Sequence, residues 1–231
     1  ALNEYLIKFA YSNPSSKQFL TIFDNITNKD ISGFMKNWLT KPGYPILTAT
    51  MRGTTSVSIS QSQFGYGSNT IWQIPITTDK PVILENKQIV VKKDSFNILN
   101  PGPKSYFVSN YDPKLKQSIL DAIQNAELAK LDKLNFLQDE LLLADNQIIS
   151  SSGLVDNLIS LKNERSELIW QAIARTILNL KFFVRGTKAE VNLKNLIKWL
   201  ARPIFDELGW AKMPSDTQNQ TKVRPLILSL L

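Results

Sequence analysis

Along the 231 residues the spacing of apolar positions changes period twice. Over residues 1–42 it is helical. Leu2, Leu6 and Phe9 recur at one-turn intervals, Pro14-Ser15-Ser16 supplies a start signal ahead of Phe19, Leu20 and Phe23, and Ile31, Phe34, Met35 and Trp38 stand at i, i+3, i+4 and i+7. This predicts three short helices. The last is stopped by Lys41-Pro42-Gly43, because Pro42 disfavours helix at Lys41 and Gly43 admits a positive φ.

From Tyr44 the pattern turns to β-branched and aromatic runs: YPILTATM, SVSISQSQF, TIWQIPITT, PVIL, QIVVKK and SYFVSNY. Between them stand Gly53, Gly65 and Gly67, Asp79 to Pro81, Glu85 to Lys87, and Asn100 to Pro103, with Gly65 to Asn69 reading as a hairpin turn. In SVSISQSQF the apolar Val57, Ile59 and Phe64 alternate with Ser and Gln, which predicts a strand with one wet face and places the polar SQSQF residues on the outside. Residues 43–112 therefore predict an antiparallel β-sandwich of about six or seven strands.

Asp112-Pro113 is a helix start, a capping carboxylate followed by Pro at the first helical position. Over residues 113–231 the period is helical again: Leu115, Ile119, Ala122 and Ile123; Leu128, Leu131, Leu134, Leu137, Leu141 and Leu142; then, after a turn at Ser150 to Gly153, Leu154, Leu158 and Leu161. Trp170, Ile173, Ile177 and Leu180 follow, then Val191, Leu193, Leu196, Ile197 and Leu200, a stop at Gly209, and a last helix from Val223. Antiparallel helices with short turns predict a solenoid-like stack, although no clean repeat period is present. The fold class is thus short helices, a sandwich, then a helical stack.

Composition removes much chemistry. With no His and no Cys, disulfides, imidazole or thiolate zinc sites, Ser-His-Asp and Cys-His nucleophile systems and an imidazole base are impossible within this chain. The missing cysteines fit a reducing, cytoplasmic setting. The net charge of +7 comes from scattered basic residues, the densest groups being the pairs Lys92-Lys93 and Lys114-Lys116, so no nucleic-acid footprint is expected. No apolar run is long enough to span a bilayer. The carboxylate pairs Asp139-Glu140 and Glu164/Glu167 fall in predicted helices rich in charge and read as solvated faces. The five tryptophans are spread over all three regions as core or interface anchors, and the sequons at Asn25 and Asn219 are at chance level for an Asn-rich chain.

Taken in order, these segments resemble the C-terminal half of the zinc aminopeptidases of the aminopeptidase N family. ALNEYLIKFAYSNPSSKQFLTIFDNI is similar to the family's GLxxYLxxxxYxNAxxxDLWxxL, ISGFMKNWLTKPGYPILTAT to VxxxMxxWTxQxGYPVLTV, and SISQSQF with IWQIPIT to ISQxRF and WxIPIT. FNILNPGPKSYFVSNYD resembles WIKxNxGQxGYYRVNYD, with Phe96 where the family often has Trp. The stretch from Leu131 resembles the opening of the family's helical domain. The resemblance implies that residues 1–42 end a thermolysin-like catalytic domain, that 43–112 form the β-sandwich domain, and that 113–231 begin the α-helical C-terminal domain. The family's zinc motif HExxH, its distal Glu, the GxMEN motif and the transition-state Tyr would precede Ala1. No catalytic, cofactor-binding or metal-binding residue is therefore expected here; zinc and peptide substrate belong to the full-length family.

The start at Ala1 without Met and the apolar end PLILSLL read as cuts, so a non-catalytic fragment is expected, partnered by the upstream catalytic domain and carrying apolar ends able to self-associate. The alternative is a stand-alone sandwich and helical module that binds a peptide, a protein or an acidic partner. A hydrolase working through carboxylates alone would need a convergent pair, and none is visible.

Overall fold

A computed structural model describes residues 1–65, 70–77, 82–93 and 98–231. The expected turn at Gly65 to Asn69, apart from Gly65 itself, the whole break at Asp79 to Pro81, and Phe96 lie outside the described residues. The chain opens with α1 (Leu2–Lys8), α2 (Ser16–Thr27) and α3 (Ile31–Thr40). Ser15 caps α2 through a capping box with Gln18, and Asp30 caps α3 by accepting from Gly33 N–H, each satisfying donors that a helix start leaves open. Ile22 is the one buried residue of these three helices, so their apolar faces stay largely open.

The strands are β1 (Tyr44–Arg52), β2 (Ser56–Phe64), β3 (Ile74–Ile76), β4 (Val82–Leu84), β5 (Gln88–Lys92) and β6 (Val108–Tyr111). Gly43 joins α3 to β1 with φ +78°, and a side chain there would meet Phe64 O of the paired strand at 2.3 Å. Only glycine serves both conditions. The strands form a sheet in the order β5-β2-β1-β6 and a separate two-stranded ribbon, β3-β4.

All six predicted runs carry a strand, but the wholly antiparallel expectation is wrong. β6 runs parallel to β1, with Ile46 opposite Val108 and Ala49 opposite Tyr111. A parallel neighbour needs a long crossover, and everything between β1 and β6 supplies it. Asp112 then fixes the junction: its N–H donates to Ala49 O at 3.0 Å, and its carboxylate accepts from Met51 N–H at 2.5 Å and from Leu115 N–H at 2.8 Å. One side chain thus ends the sheet and caps the next helix. Asp112→Ala is expected to cost about 1–2 kcal/mol, the usual range for a lost cap, read as a shift of the urea midpoint.

The polar SQSQF stretch is also not the outer face that its polarity suggests. Leu47, Ala49, Val57 and Ile59 share one fully buried face, and Gln61, opposite Leu47, continues it at 2 % exposure. Its amide accepts from Trp72 N–H at 3.0 Å and donates to Trp72 O at 3.0 Å and Asn86 O at 2.9 Å. Gln61 thereby stitches the sheet to the segment carrying β3, where a buried polar group is tolerated because it is fully bonded. Phe64 lies on the opposite face and stacks on Tyr44 at 4.9 Å, beside a small cluster of Ile46, Val108 and Leu143. Gln61→Leu strands the N–H and carbonyl of buried Trp72 and frees Asn86 O, and is expected to cost about 1–3 kcal/mol, checked by denaturant unfolding.

The second helical region comprises α4 (Pro113–Gln124), α5 (Lys130–Asp145), α6 (Gly153–Ser160), α7 (Glu167–Val184), α8 (Ala189–Leu208) and α9 (Gln218–Leu230). Helix α9 starts before the expected Val223, where Thr217 and Gln220 form a capping box. α4 neighbours α6, α5 neighbours α7, and α7 touches both α8 and α9, while α4 and α5 also touch the sheet. One apolar core runs without a break from Leu47 and Trp72 through Tyr111 and Leu115 to Ile227. The chain end is partly inside it, since Val223 and Ile227 are buried, against the expectation of a bare apolar terminus.

Candidate functional site

Helix α5 buries three carboxylates, Asp132, Asp139 and Glu140, among Phe136, Leu137, Leu141 and Leu143. The solvated face expected for Asp139-Glu140 is therefore corrected: they are 8 % and 1 % exposed. The reason is what they hold. Asp132 accepts from Gly102 N–H at 2.6 Å in the NPGP turn, and Asp139 accepts from Ser109 N–H of β6 at 2.8 Å and from the Asn135 amide at 3.2 Å. Glu140 turns the other way, to the Lys116 ammonium of α4 at 2.5 Å and the Asn157 amide of α6 at 3.3 Å; Lys116 also donates to Gly153 O at 3.1 Å. The seam ties the sheet, α4 and α6 to a single helix.

Glu164 also departs from expectation. It lies in the connection between α6 and α7, whereas Glu167 begins α7. Its carboxylate pairs with Lys133 of α5 at 2.5 Å and accepts from the N–H groups of Arg165 and Ser166, each at 2.8 Å. Burial pushes the Glu164 carboxyl up, but these donors outweigh it and leave it below the ordinary value. At the far end, Arg224 forks onto Asp216 and donates to Leu208 O, closing α9 against the end of α8. Asn219 accepts from Glu167 N–H and donates to Arg165 O, so its amide nitrogen is engaged, while Asn25 is exposed.

The electrostatics of the seam are uneven. Burial raises the Asp139 carboxyl to about 7, the Glu140 charge adds to the rise, and the Ser109 and Asn135 donors oppose it. Burial likewise holds the Tyr111 phenol well above its ordinary value; its oxygen accepts from Leu99 N–H at 3.1 Å. A carboxyl whose folded value exceeds its unfolded one retains a proton that the unfolded chain has released, so its contribution is full in acid and lost as pH rises through the folded value. Asp139→Asn has no such proton. Relative to the native chain it is expected to gain stability progressively between about pH 4 and pH 7, measured as the difference of two urea series across pH. Groups common to both proteins, Glu164 among them, cancel in that difference.

A cleft of about 440 Å³ lies between α5 and α7, with Leu134, Leu137, Leu141 and Leu168 as its apolar wall and Gln138 and Arg175 among its polar residues. It gathers Leu134, Leu137, Leu141 and Leu142 of the leucine stripe read from the sequence, whereas Leu128 lies outside it and Leu131 points to solvent. The chemistry of the chain does not fit zinc: it contains no His or Cys, and among the described residues no three potential ligands converge. The α5 carboxylates are individually committed to backbone N–H groups or an ammonium. The signal that could have revealed them is periodic. Asp132, Asn135 and Asp139 recur at helical spacing beside Phe136 and Leu143, so polar and apolar residues share one face, which fits a bonded interface better than a wet one.

Comparison with known proteins accords with this architecture. A family profile, the ERAP1-like C-terminal domain, matches residues 96–231. Aminopeptidase N of Lactobacillus helveticus is 30 % identical over 99 % of this chain, and aminopeptidase N of Lactococcus lactis subsp. lactis is 29 % identical over all of it. Aminopeptidase M1-D of Oryza sativa subsp. japonica is 24 % identical over 99 %. In each case the chain spans 29 % of the relative's length. With the profile covering more than half of the chain and these relatives matching from end to end, the chain belongs to the aminopeptidase N family, of which it represents a C-terminal part.

Proposed function

We propose that this chain is the non-catalytic part of a zinc-dependent aminopeptidase that removes N-terminal residues from peptides, serving as scaffold for the catalytic domain and as wall of its substrate cavity. In this reading residues 1–42 close the catalytic domain, residues 43–112 are a sandwich with β3-β4 as its second layer, and residues 113–231 open a helical stack. The observation that carries the proposal is the use of the buried ionisable groups. Asp132, Asp139, Glu140 and Glu164 each bind a backbone N–H, an ammonium or both, which joins elements and, among the described residues, leaves no nucleophile, base and orienting group in one place. The apolar faces of α1 to α3, where Leu2 and Leu6 are each 58 % exposed, are the surface a preceding domain would cover. Cytoplasmic location follows the same reading.

The test is reconstitution of activity. The chain alone is expected to release no product from chromogenic aminoacyl substrates and to hold no stoichiometric zinc at micromolar concentration. A longer polypeptide that also carries the family's zinc motif is expected to do both. A chelator-sensitive aminopeptidase rate that stays with the purified chain would overturn the proposal.

A further inference from the structure

We propose that the cleft between β1, the segment entering β6 and helix α5 is a binding site for an organic cation, with the Asp139 carboxylate as its anionic floor. The cleft has a volume of about 390 Å³ and is lined by Tyr44, Ser105, Tyr106, Phe107, Asn135 and Asp139 among others, with no Lys or Arg among the described residues that line it. Asp139 is more than nine-tenths buried. Its Oδ2 takes the hydrogen bonds from Ser109 N–H and the Asn135 amide, the Ser109 hydroxyl also favours its ionised form, and among the described residues no cation pairs with it. A carboxylate left in that state either keeps a proton or recruits a counter-charge.

The walls favour the second outcome when a cation is offered. Tyr44 and Tyr106 meet at 5.9 Å with their planes 63° apart, forming an aromatic corner, and Tyr106 stands at the open mouth, 70 % exposed. Ring faces attract a guanidinium or ammonium, and the attraction grows as the cation loses water. Among the described residues, the ionisable groups whose charges bear most on Asp139 and its walls are Glu140, Tyr111, Tyr44 and Tyr106. None of them is a cation, and Glu140 is already occupied by Lys116. The site would therefore bind tightly only with Asp139 ionised. It stands independently of the scaffold reading above, and the cation has two possible sources, a free small molecule or a basic side chain of an adjoining polypeptide.

Agmatine, a guanidinium joined to an amine, is the probe. Titrated into the chain at pH 8, it is expected to move the backbone amide signal of Ser109 and the side-chain amide signal of Asn135 saturably, with affinity roughly tenfold or more weaker at pH 5.5, where a carboxyl of pKa about 7 is mostly protonated. Asp139→Asn keeps an acceptor for Ser109 N–H and is expected to lose the binding. Should that variant fold poorly, Tyr106→Ala at the exposed mouth is expected to weaken binding in a protein with an unchanged amide spectrum. A longer polypeptide that binds agmatine as well indicates a free ligand, and one that excludes it indicates a basic side chain already in place. No saturable shift at pH 8 in the folded chain, or equal affinity in Asp139→Asn, overturns the site.

Discussion

Trp170→Ala is expected to destabilise the chain by about 3–5 kcal/mol, the range for deleting a buried tryptophan. Trp170 is fully buried in α7 beside Ile169 and Ile173, so the truncation opens a cavity in the middle of the continuous core. It also removes a hydrogen bond. The indole N–H donates to Glu164 O at 3.1 Å, and Glu164 is the residue whose carboxylate holds Lys133 of α5. Loss of the ring therefore loosens the α6–α7 connection as well as the core. Trp170→Phe separates the two effects, because it retains much of the volume and removes only the donor; its cost should fall nearer 1–3 kcal/mol. Since domains of this size hold only about 5–15 kcal/mol in total, the alanine variant should show a lower urea midpoint with an unchanged slope. A cost below about 1 kcal/mol would mean that α7 is not the central helix of the core.

Glu140→Ala is expected to be comparably severe, at about 3–5 kcal/mol, because it leaves the Lys116 ammonium in a largely buried position with only Gly153 O as a partner. It also strips the Asn157 amide of its acceptor, and the oxygen of that amide is already buried without a hydrogen bond. Lys116 retains some access to solvent, which places the expectation at the lower end of the range. The double change Lys116→Met with Glu140→Leu removes both charges together and should recover most of the loss, since well-packed apolar residues often replace a buried ion pair without penalty. If the double variant is no better than Glu140→Ala, the pair is not what holds α4, α5 and α6 together. Circular dichroism melting and urea unfolding of the three proteins decide the matter.

These two sites differ in how far the sequence announced them. Trp170 stands in an apolar series at helical spacing, and burial is the direct consequence of that spacing in a globular chain. Glu140 stands beside Asp139 in a helix with charge on several sides, and local pattern alone reads it as wet. The partners that make its burial tolerable, Lys116 and Asn157, come from helices before and after it. Gln61 is the same case in a strand: alternation places it on the core face with Val57 and Ile59, its polarity argues for the outside, and the conflict is resolved only by the backbone of Trp72 and Asn86.

What the sequence determined by itself is local and periodic: the end of helix at Gly43, six strand runs between Tyr44 and Tyr111, the capped helix start at Asp112, and the absence of any imidazole or thiolate chemistry. Each follows from the conformational limits of Gly and Pro, the period of apolar residues, or simple ligand supply, which need no knowledge of distant residues. The tertiary structure alone decided that β6 lies parallel to β1, that the carboxylates of α5 face inward, and that Asp139 borders a cleft whose described lining holds no Lys or Arg. Those outcomes depend on groups far apart in the chain arriving at hydrogen-bonding distance, and the free energy of a buried charge is set by its partners rather than by its neighbours in sequence.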